Sequence, residues 1–349
     1  MTDSKNRQQM DSNTAVATEK LLGKGLDVGT ANLVAATQSP DGGIHIKLER
    51  NAFLDVKADV YSKAMLTKLK VPYVMRGDSL IVLGESSFEL ANVFGRETRR
   101  PMKDGLIAPS DADALPMIRL IIEKLLGEPA QAEENCYFSV PAPSIDRDNN
   151  IIYHQGLFDG MLRSMGYNAR AINEGHAVVF SELAESDFSG IGISFGGGMA
   201  NICVCYKTIP ALSFSISRGG DWIDRNVSEA LGIPRSRATH LKERGVDISN
   251  PQGREEDAIS IFYRNLIQYV LVNIKNRFES SSNMPQFQHA VPIICSGGTA
   301  MATNFINVFR DELKRLKFPI PVDSISLASE PLNSVAKGCL VAAALGDGA

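Results

Sequence analysis

The sequence predicts an α/β fold of two comparable halves with a cleft between them, and three observations carry that prediction. A glycine turn set between two apolar runs, Gly25-Leu26-Asp27-Val28-Gly29-Thr30-Ala31-Asn32-Leu33-Val34, opens the first half. A second one, Gly192-Ile193-Ser194-Phe195-Gly196-Gly197-Gly198-Met199-Ala200-Asn201-Ile202, opens the second. After each turn, runs with strand character alternate with stretches of helical spacing, which is the pattern of α/β layering. Glycine lets the backbone bend sharply and brings N–H groups close to an anion. Two such turns at the starts of two halves therefore suggest a clamp that holds a polyphosphate from both sides. The first carries Asp27, whereas the second has no carboxylate at the matching place.

Along the chain, residues 1–20 are polar without a central apolar segment. They read as a disordered tail, neither a signal peptide nor a membrane-lying helix. The core is expected to begin near Leu21, and a first lobe to run over 21–190. Residues 24–37 read as a hairpin and 44–48 as a further strand. Residues 50–100 are mixed, with a strand-like patch at 80–83, and read as a small inserted subdomain closed by Pro101-Met102-Lys103-Asp104-Gly105. Residues 115–126 have helical spacing, with Asp111 or Asp113 available as cap and Pro116 suited to the first turn. A strand at 137–141, a helix over 151–165 stopped at Gly166, a strand at 169–172 and a helix over 175–183 complete this lobe. The second lobe is expected over 191–330. It begins with a three-strand meander (191–194, 200–206, 212–217) and continues with a helix at 222–231. A helix-rich insertion covers about 235–285, interrupted around Asn250-Pro251-Gln252-Gly253. A strand at 291–296 and a helix at 303–316 follow. Residues 331–349 form a last helix returning to the first lobe.

Composition bounds the function. A chain of 349 residues, 44% hydrophobic, exceeds one typical domain and can bury two cores. A formal net charge of −4 argues against electrostatically driven binding to nucleic acid. The five cysteines form no C-x-x-C pair and read as small buried residues in a reducing cytosol, so the expected location is cytoplasmic. No apolar run approaches the ~20 residues that cross a bilayer. Attachment to a membrane through a short apolar loop stays open.

Asp27 sits at a strand end inside the first glycine turn. A carboxylate there cannot bind phosphate, but it can hold Mg²⁺ or a metal-bound water beside phosphates cradled by backbone N–H groups. Alone, it reads as readily as a turn aspartate bonding its own backbone. Further segments shift that balance: Arg100-Pro101-Met102-Lys103-Asp104-Gly105-Leu106-Ile107-Ala108, Ser139-Val140-Pro141, Ile172-Asn173-Glu174-Gly175-His176-Ala177, Arg218-Gly219-Gly220-Asp221-Trp222-Ile223-Asp224, Ile293-Ile294-Cys295-Ser296-Gly297-Gly298-Thr299, and 331–338 beginning Pro331-Leu332-Asn333. In order and spacing, from about residue 21 to the end, the set resembles the actin-like ATPases, in particular bacterial actins of the MreB and MamK kind. Each segment alone is weak; the set is specific.

The resemblance implies a two-lobe actin-like, ribonuclease-H-like duplicated fold with a nucleotide cleft and small inserted subdomains. It implies ATP or ADP with Mg²⁺ as cofactors and self-association into filaments, with protein adaptors or cargo as further partners. Backbone donors around Gly29, Thr30, Ala31, Asn32, Gly196, Gly197 and Gly198 would hold phosphates, and Asp27 the metal. Gly297, Gly298 and Thr299 would let adenosine approach the backbone, and Lys242 and Glu243 fall where that family places adenosine-contacting side chains. Glu174 falls where it carries the group that positions the attacking water. Lys242 and Glu243 also fit a solvated helix face, and Glu174 fits an acid favoured by a helix dipole. His176, beside Glu174, has no counterpart and reads as a packing or surface residue.

The second turn departs from the family's pattern. Ser194 stands where a carboxylate is expected, Met199 and Ala200 where hydroxyl residues follow the glycines, and Asn201 where an acid is common. The expectation is therefore retained nucleotide binding with weak or slow hydrolysis. Two other readings use the same fold: a non-polymerising nucleotide-binding scaffold or adaptor, and a small-molecule kinase or chaperone-like ATPase. No motif marks a substrate-cleft base and no substrate-binding domain follows the last helix, which disfavours the third.

Overall fold

The computed structural model describes residues 23–346 apart from positions 40, 92, 109, 110, 149, 282, 283, 286 and 288. The tail expected over 1–20, and Leu21, lie outside the described residues. In chain order the elements of the first half are β1 (Lys24–Val28), β2 (Asn32–Gln38), β3 (Ile44–Arg50), β4 (Phe53–Lys57), α1 (Val60–Lys68), β5 (Tyr73–Arg76), β6 (Ser79–Leu83), α2 (Glu85–Ala91), β7 (Met102–Lys103), β8 (Leu106–Ile107), α3 (Ala114–Leu126), β9 (Asn135–Val140), α4 (Ile151–Ser164), β10 (Asn168–Asn173) and α5 (Glu174–Glu182). The second half has β11 (Gly190–Phe195), β12 (Ala200–Tyr206), β13 (Ile209–Ile216), α6 (Gly220–Leu231), α7 (Arg235–Glu243), α8 (Gly253–Ser280), β14 (Val291–Ser296), α9 (Phe305–Lys314), β15 (Val322–Leu327) and α10 (Ser334–Leu345).

The two halves repeat one plan. The first large sheet has the order β10-β9-β1-β2-β3 and the second β13-β12-β11-β14-β15. In each, the first three strands form an antiparallel meander, and two later strands add in parallel on the far side of the first. The parallel additions need crossover helices, and α3, α4, α8 and α9 supply them. Apolar residues on α3 recur at helical spacing, so Ile118, Ile121, Ile122 and Leu125 are all buried against the first sheet, while Met117 packs on Phe53 and Ile81 of the inserted sheet. The stripe Ile259, Tyr263, Leu266, Ile267, Val270 and Ile274 does the same for α8 in the second core.

Helices α5 and α10 join the halves. The first half ends in α5, which packs on strands β11 and β12 of the second sheet. The second half ends in α10, which packs on β1, β2 and β9 of the first. Between them lies a third core built from Val178, Val179, Phe180, Val335, Cys339 and Ala343, with Tyr137 and Cys203 from the two sheets. The helices cross at Gly338, where an added Cβ would overlap the carbonyl oxygen of Ala177 and lie 2.9 Å from its Cα.

The inserted region after β3 is a three-stranded sheet, β4-β6-β5, with its own small core of Leu54, Val56, Leu66, Leu80, Val82 and Leu90. All five cysteines are buried and free. Several local expectations shift. Asp113 occupies the N-cap of α3 without a capping hydrogen bond. Its carboxylate and that of Asp111 are instead drawn to Arg99, at 3.1 and 2.6 Å, which fastens the inserted sheet to the lobe. Helix α9 begins at Phe305 because Asn304 takes a left-handed conformation, φ 64°. Helices α1 and α2 and strand β15, mostly exposed or weakly patterned, gave no clear periodic signal.

Candidate functional site

The two glycine turns face each other across a cleft between the halves, where the structure places a cavity of about 410 Å³. That is ample for a nucleotide-sized ligand. The hairpin registers make the turns equivalent. Val28 pairs with Leu33 and Asp27 with Val34; Phe195 pairs with Ala200 and Ser194 with Asn201. Ser194 thus stands at the position of Asp27, one residue before the last pair of its hairpin.

Each turn has its carbonyl groups tied back. In the first, the Asn51 side-chain amide donates to Gly29 O at 2.9 Å and the Asn51 backbone N–H to Ala31 O at 3.0 Å. In the second, Gly220 N donates to Gly196 O, Asp221 N to Gly197 O at 2.8 Å, and the Thr299 hydroxyl to Gly196 O at 2.9 Å. The N–H groups of Gly29, Thr30, Ala31, Gly197 and Gly198 have no acceptor among the described residues, and all five residues line the cavity, as do Asn32 and Gly196. Unpaired backbone donors converging on a cavity suit an anion with several oxygens. At the start of α6, Gly220 and Asp221 donate to the glycine turn and Trp222 and Ile223 to Gly219 O, so the turn rather than the helix end faces the cavity. The two turns touch: Gly198 lies against Gly105 N and Thr30 Oγ1, and Gly105 N donates to Thr30 Oγ1 at 3.1 Å.

The carboxylates lie on the cleft floor. Asp27, half-buried, accepts from the Ser139 hydroxyl at 2.8 Å through Oδ1, and its other oxygen has no partner among the described residues. Glu174 opens α5, whose N-cap Asn173 accepts from Gly175 N at 3.0 Å. The Ser194 hydroxyl donates to Glu174 Oε2 at 2.9 Å. Burial pushes the Asp27 carboxyl above its usual range, against the pull of Ser139. Burial and then the charge of Asp27 push Glu174 up, against the hydrogen bond of Ser194. Among the described residues no group of three or more His, Cys, Asp or Glu side chains could hold a metal ion by itself. Mg²⁺ does not require one, because it keeps several waters and takes one or two carboxylates plus phosphate oxygens. A free Asp27 oxygen beside unpaired N–H donors fits that donor set.

At the other end, Lys242 Nζ lies 2.8 Å from Asp224 Oδ1 and donates to Gly220 O at 3.0 Å, so it is engaged rather than a solvated side chain. Asp224 also accepts from Thr239 at 2.8 Å, and burial, followed by the charges of Asp224 and Glu243, raises the Tyr263 phenol. Glu243 is exposed at the rim. Gly297, at φ 88°, lies against Phe195 O, where a side chain would collide, and Gly298 and Thr299 follow on the same wall. Met301 and Leu332, both partly exposed, add apolar surface there. The residues assigned from the sequence to phosphate, metal, adenosine and water, namely Asp27, Gly29, Thr30, Ala31, Asn32, Glu174, Gly196, Gly197, Gly198, Lys242, Glu243, Gly297, Gly298 and Thr299, line this cavity, whereas Ala200 and Asn201 do not. His176 does not: it is buried on Phe180 with Nε2 2.8 Å from Thr208 O. Sequence reasoning missed Asn51, Arg50, Arg100, Asp221, Asp224, Tyr263, Met301 and Leu332. Asp221 and Asp224 were within reach, since their spacing of three on a helix places both near one face.

Family and fold likeness converge on this architecture. The model of the Volactin family matches residues 22–343. The chain belongs to the Volactin family. A MamK double helical filament has the same fold, with TM-score 0.69, 16% identity, 91% of this chain and 97% of that chain covered. The crystal structure of MreB 5 of Spiroplasma citri bound to AMPPNP gives TM-score 0.64 at 15% identity, covering 91% and 95%. The ethanolamine utilization protein EutJ from Carboxydothermus hydrogenoformans gives 0.53 at 18%, covering 91% and 89%. No curated protein matches the chain. The fold of this Volactin-family chain is the two-lobe actin-like fold, as its sequence resemblance implied. Among the described residues no helix is long and apolar enough to cross a membrane.

Proposed function

We propose that this Volactin-family protein binds ATP or ADP with Mg²⁺ in the interlobe cleft, assembles into filaments in the cytoplasm, and hydrolyses its nucleotide slowly or not at all. The observation that supports the reading most is the set of five unpaired backbone N–H groups, contributed by both halves and closed around one cavity. They would hold the phosphates. Asp27 would hold the metal through its free oxygen, and bound Mg²⁺ would supply charge neutralisation at the phosphates. Lys242 and Glu243, with Gly297, Gly298 and Thr299, would frame the adenosine, with Met301 and Leu332 as an apolar wall for the base.

Weak hydrolysis follows from the floor of the site. Among the described residues, Glu174 is the carboxylate beside Asp27 on the floor, and its hydrogen bond from Ser194 and raised proton affinity hold it back from acting as a base at neutral pH. At the place of Ser194 a carboxylate would add a second anchor for the metal; a serine hydroxyl bonded to Glu174 does not. Relatives named as a filament and as AMPPNP-bound support assembly and nucleotide binding as the activities to test.

Titration calorimetry with AMPPNP and ADP in Mg²⁺, alongside sedimentation and electron microscopy with and without nucleotide, tests the reading. Binding of either nucleotide together with filaments supports it. A protein that binds neither nucleotide overturns it, and one that binds nucleotide but stays monomeric at high concentration is a scaffold of the same fold.

A further inference from the structure

Three cations line the cavity, and they differ in how they are held. Lys242 is committed to Asp224 and the Gly220 carbonyl. Arg50 donates through Nε to Glu85 at 2.7 Å and lies over the Phe88 ring. Arg100 is different. Among the described residues it lies over no ring, and its partner belongs to the other half: its Nη1 donates to both oxygens of Asp221 at 3.1 and 3.2 Å. Its Nε and Nη2 have no partner among the described residues. A planar guanidinium with one edge free, at the wall of a cavity already rich in anion donors, is shaped for a phosphate.

Its position specifies which phosphate. Arg100 belongs to the first half and Asp221 to the second, so the pair spans the cleft. Asp221 N is bonded to Gly197 O, and Gly198 rests on Gly105, five residues after Arg100. Arg100 therefore stands at the start of α6, where that helix is bonded to the second glycine turn. Asp221 would not be stranded by sharing its partner, because Arg235 also approaches it, at 3.5 Å.

We propose that Arg100 reads the terminal phosphate of a nucleoside triphosphate. Its free Nε and Nη2 edge takes that phosphate while Nη1 stays on Asp221. A triphosphate then adds its terminal phosphate to the Arg100–Asp221 tie between the first half and the start of α6, and a diphosphate leaves the free edge of Arg100 unused. This rests on the nucleotide-binding reading above and adds to it the residue that distinguishes the two nucleotide states.

The test is calorimetric binding of AMPPNP and ADP, with Mg²⁺, to the full chain and to Arg100→Gln and Arg100→Lys. The Arg100–Asp221 pair is partly exposed and adds little to stability, so both variants are expected to melt with the parent. Arg100→Gln should weaken AMPPNP about 10- to 100-fold, the loss of one charge-assisted bidentate contact, and change ADP by less than about threefold. Arg100→Lys keeps the charge without the fork and should recover only part of the loss. An unchanged AMPPNP affinity in Arg100→Gln, or an equal loss for ADP, overturns the inference and leaves nucleotide binding standing. A parent protein that binds neither nucleotide overturns both.

Discussion

Gly198→Ala is the most direct probe of the clamp. An added Cβ at this position would overlap Gly105 N and lie 2.8 Å from Thr30 Oγ1 and 2.9 Å from Asp104 C. Two of the three atoms are backbone, so relief comes only by moving the second glycine turn away from the first. Ordinary contact lies near 3.4 Å, and a displacement of about 1 Å stretches a hydrogen bond of 2.9 Å beyond its useful range. Phosphate contacts from one turn would then be lost. Each charge-assisted hydrogen bond contributes about 1.5–3 kcal/mol, so losing two weakens nucleotide by about 3 to 6 kcal/mol, roughly 10²- to 10⁴-fold. The overlap itself costs about 1–3 kcal/mol of stability, which leaves a folded protein to assay. Calorimetry against AMPPNP with Mg²⁺ reads the affinity, and a thermal melt reads the fold. Gly156→Ala on α4, where an added Cβ meets nothing within 4 Å, is the control and should bind as the parent does. A folded Gly198→Ala protein that binds AMPPNP within threefold of the parent would refute the clamp.

Other outcomes follow from the same geometry. Asp27→Ala should weaken Mg-nucleotide binding while leaving metal-free nucleotide nearly unchanged, read by calorimetry with Mg²⁺ and with EDTA. Ser194→Asp should tighten metal binding or raise phosphate release, measured by a coupled assay; no change in either quantity would count against the equivalence of positions 27 and 194. Gly338→Ala should cost about 3 kcal/mol or more in urea unfolding, because its Cβ overlaps backbone of the crossing helix. His154 is buried, accepts from Ile107 N at 3.1 Å, and burial lowers its pKa from 6.5 to about 4. A depressed folded-state pKa means that the unfolded chain binds the proton more readily. Its contribution is full above pH 6.5 and is lost as the pH falls toward 4, about 3 kcal/mol at about 1.4 kcal/mol per pH unit. His154→Gln should flatten that part of the pH–stability curve in urea unfolding.

How much of this was legible in the sequence depended on how each feature is built. The glycine turns were legible because a bend flanked by apolar strands leaves few residue choices. Helices α3 and α8 were legible because they bury one face, and burial writes itself as a 3.6-residue period. Strand β15 has a mixed burial pattern, so its sequence, Val322–Leu327, carries no clean alternation. The duplication was invisible to identity but clear in topology, because sheet order depends on which strands pair rather than on which apolar residue fills each place. The missed site residues share a different cause. Asn51 acts by bonding backbone carbonyls from a following strand's end, and Arg100 meets Asp221 across 121 positions of sequence. Such partners are brought together by the cleft, and no local pattern announces them.

The two halves repeat a fold without repeating its chemistry, and the floor of the cleft shows why that division is stable. Positions 27 and 194 are equivalent in register, and each approaches Glu174. With a carboxylate at both, Glu174 would face two acids in a partly desolvated floor, and the repulsion would have to be neutralised by a metal. With Ser194, one of those charges becomes a hydroxyl that donates to Glu174. The site can then fold without a metal at lower electrostatic cost, and it keeps the backbone donors of both turns, which depend on glycine geometry rather than on side chains. On the proposed reading, nucleotide binding and nucleotide hydrolysis would thus be separable in this architecture. The clamp would reside in the turns and the chemistry in the side chains beneath them, so substitution at position 194 is expected to alter the second without disturbing the first.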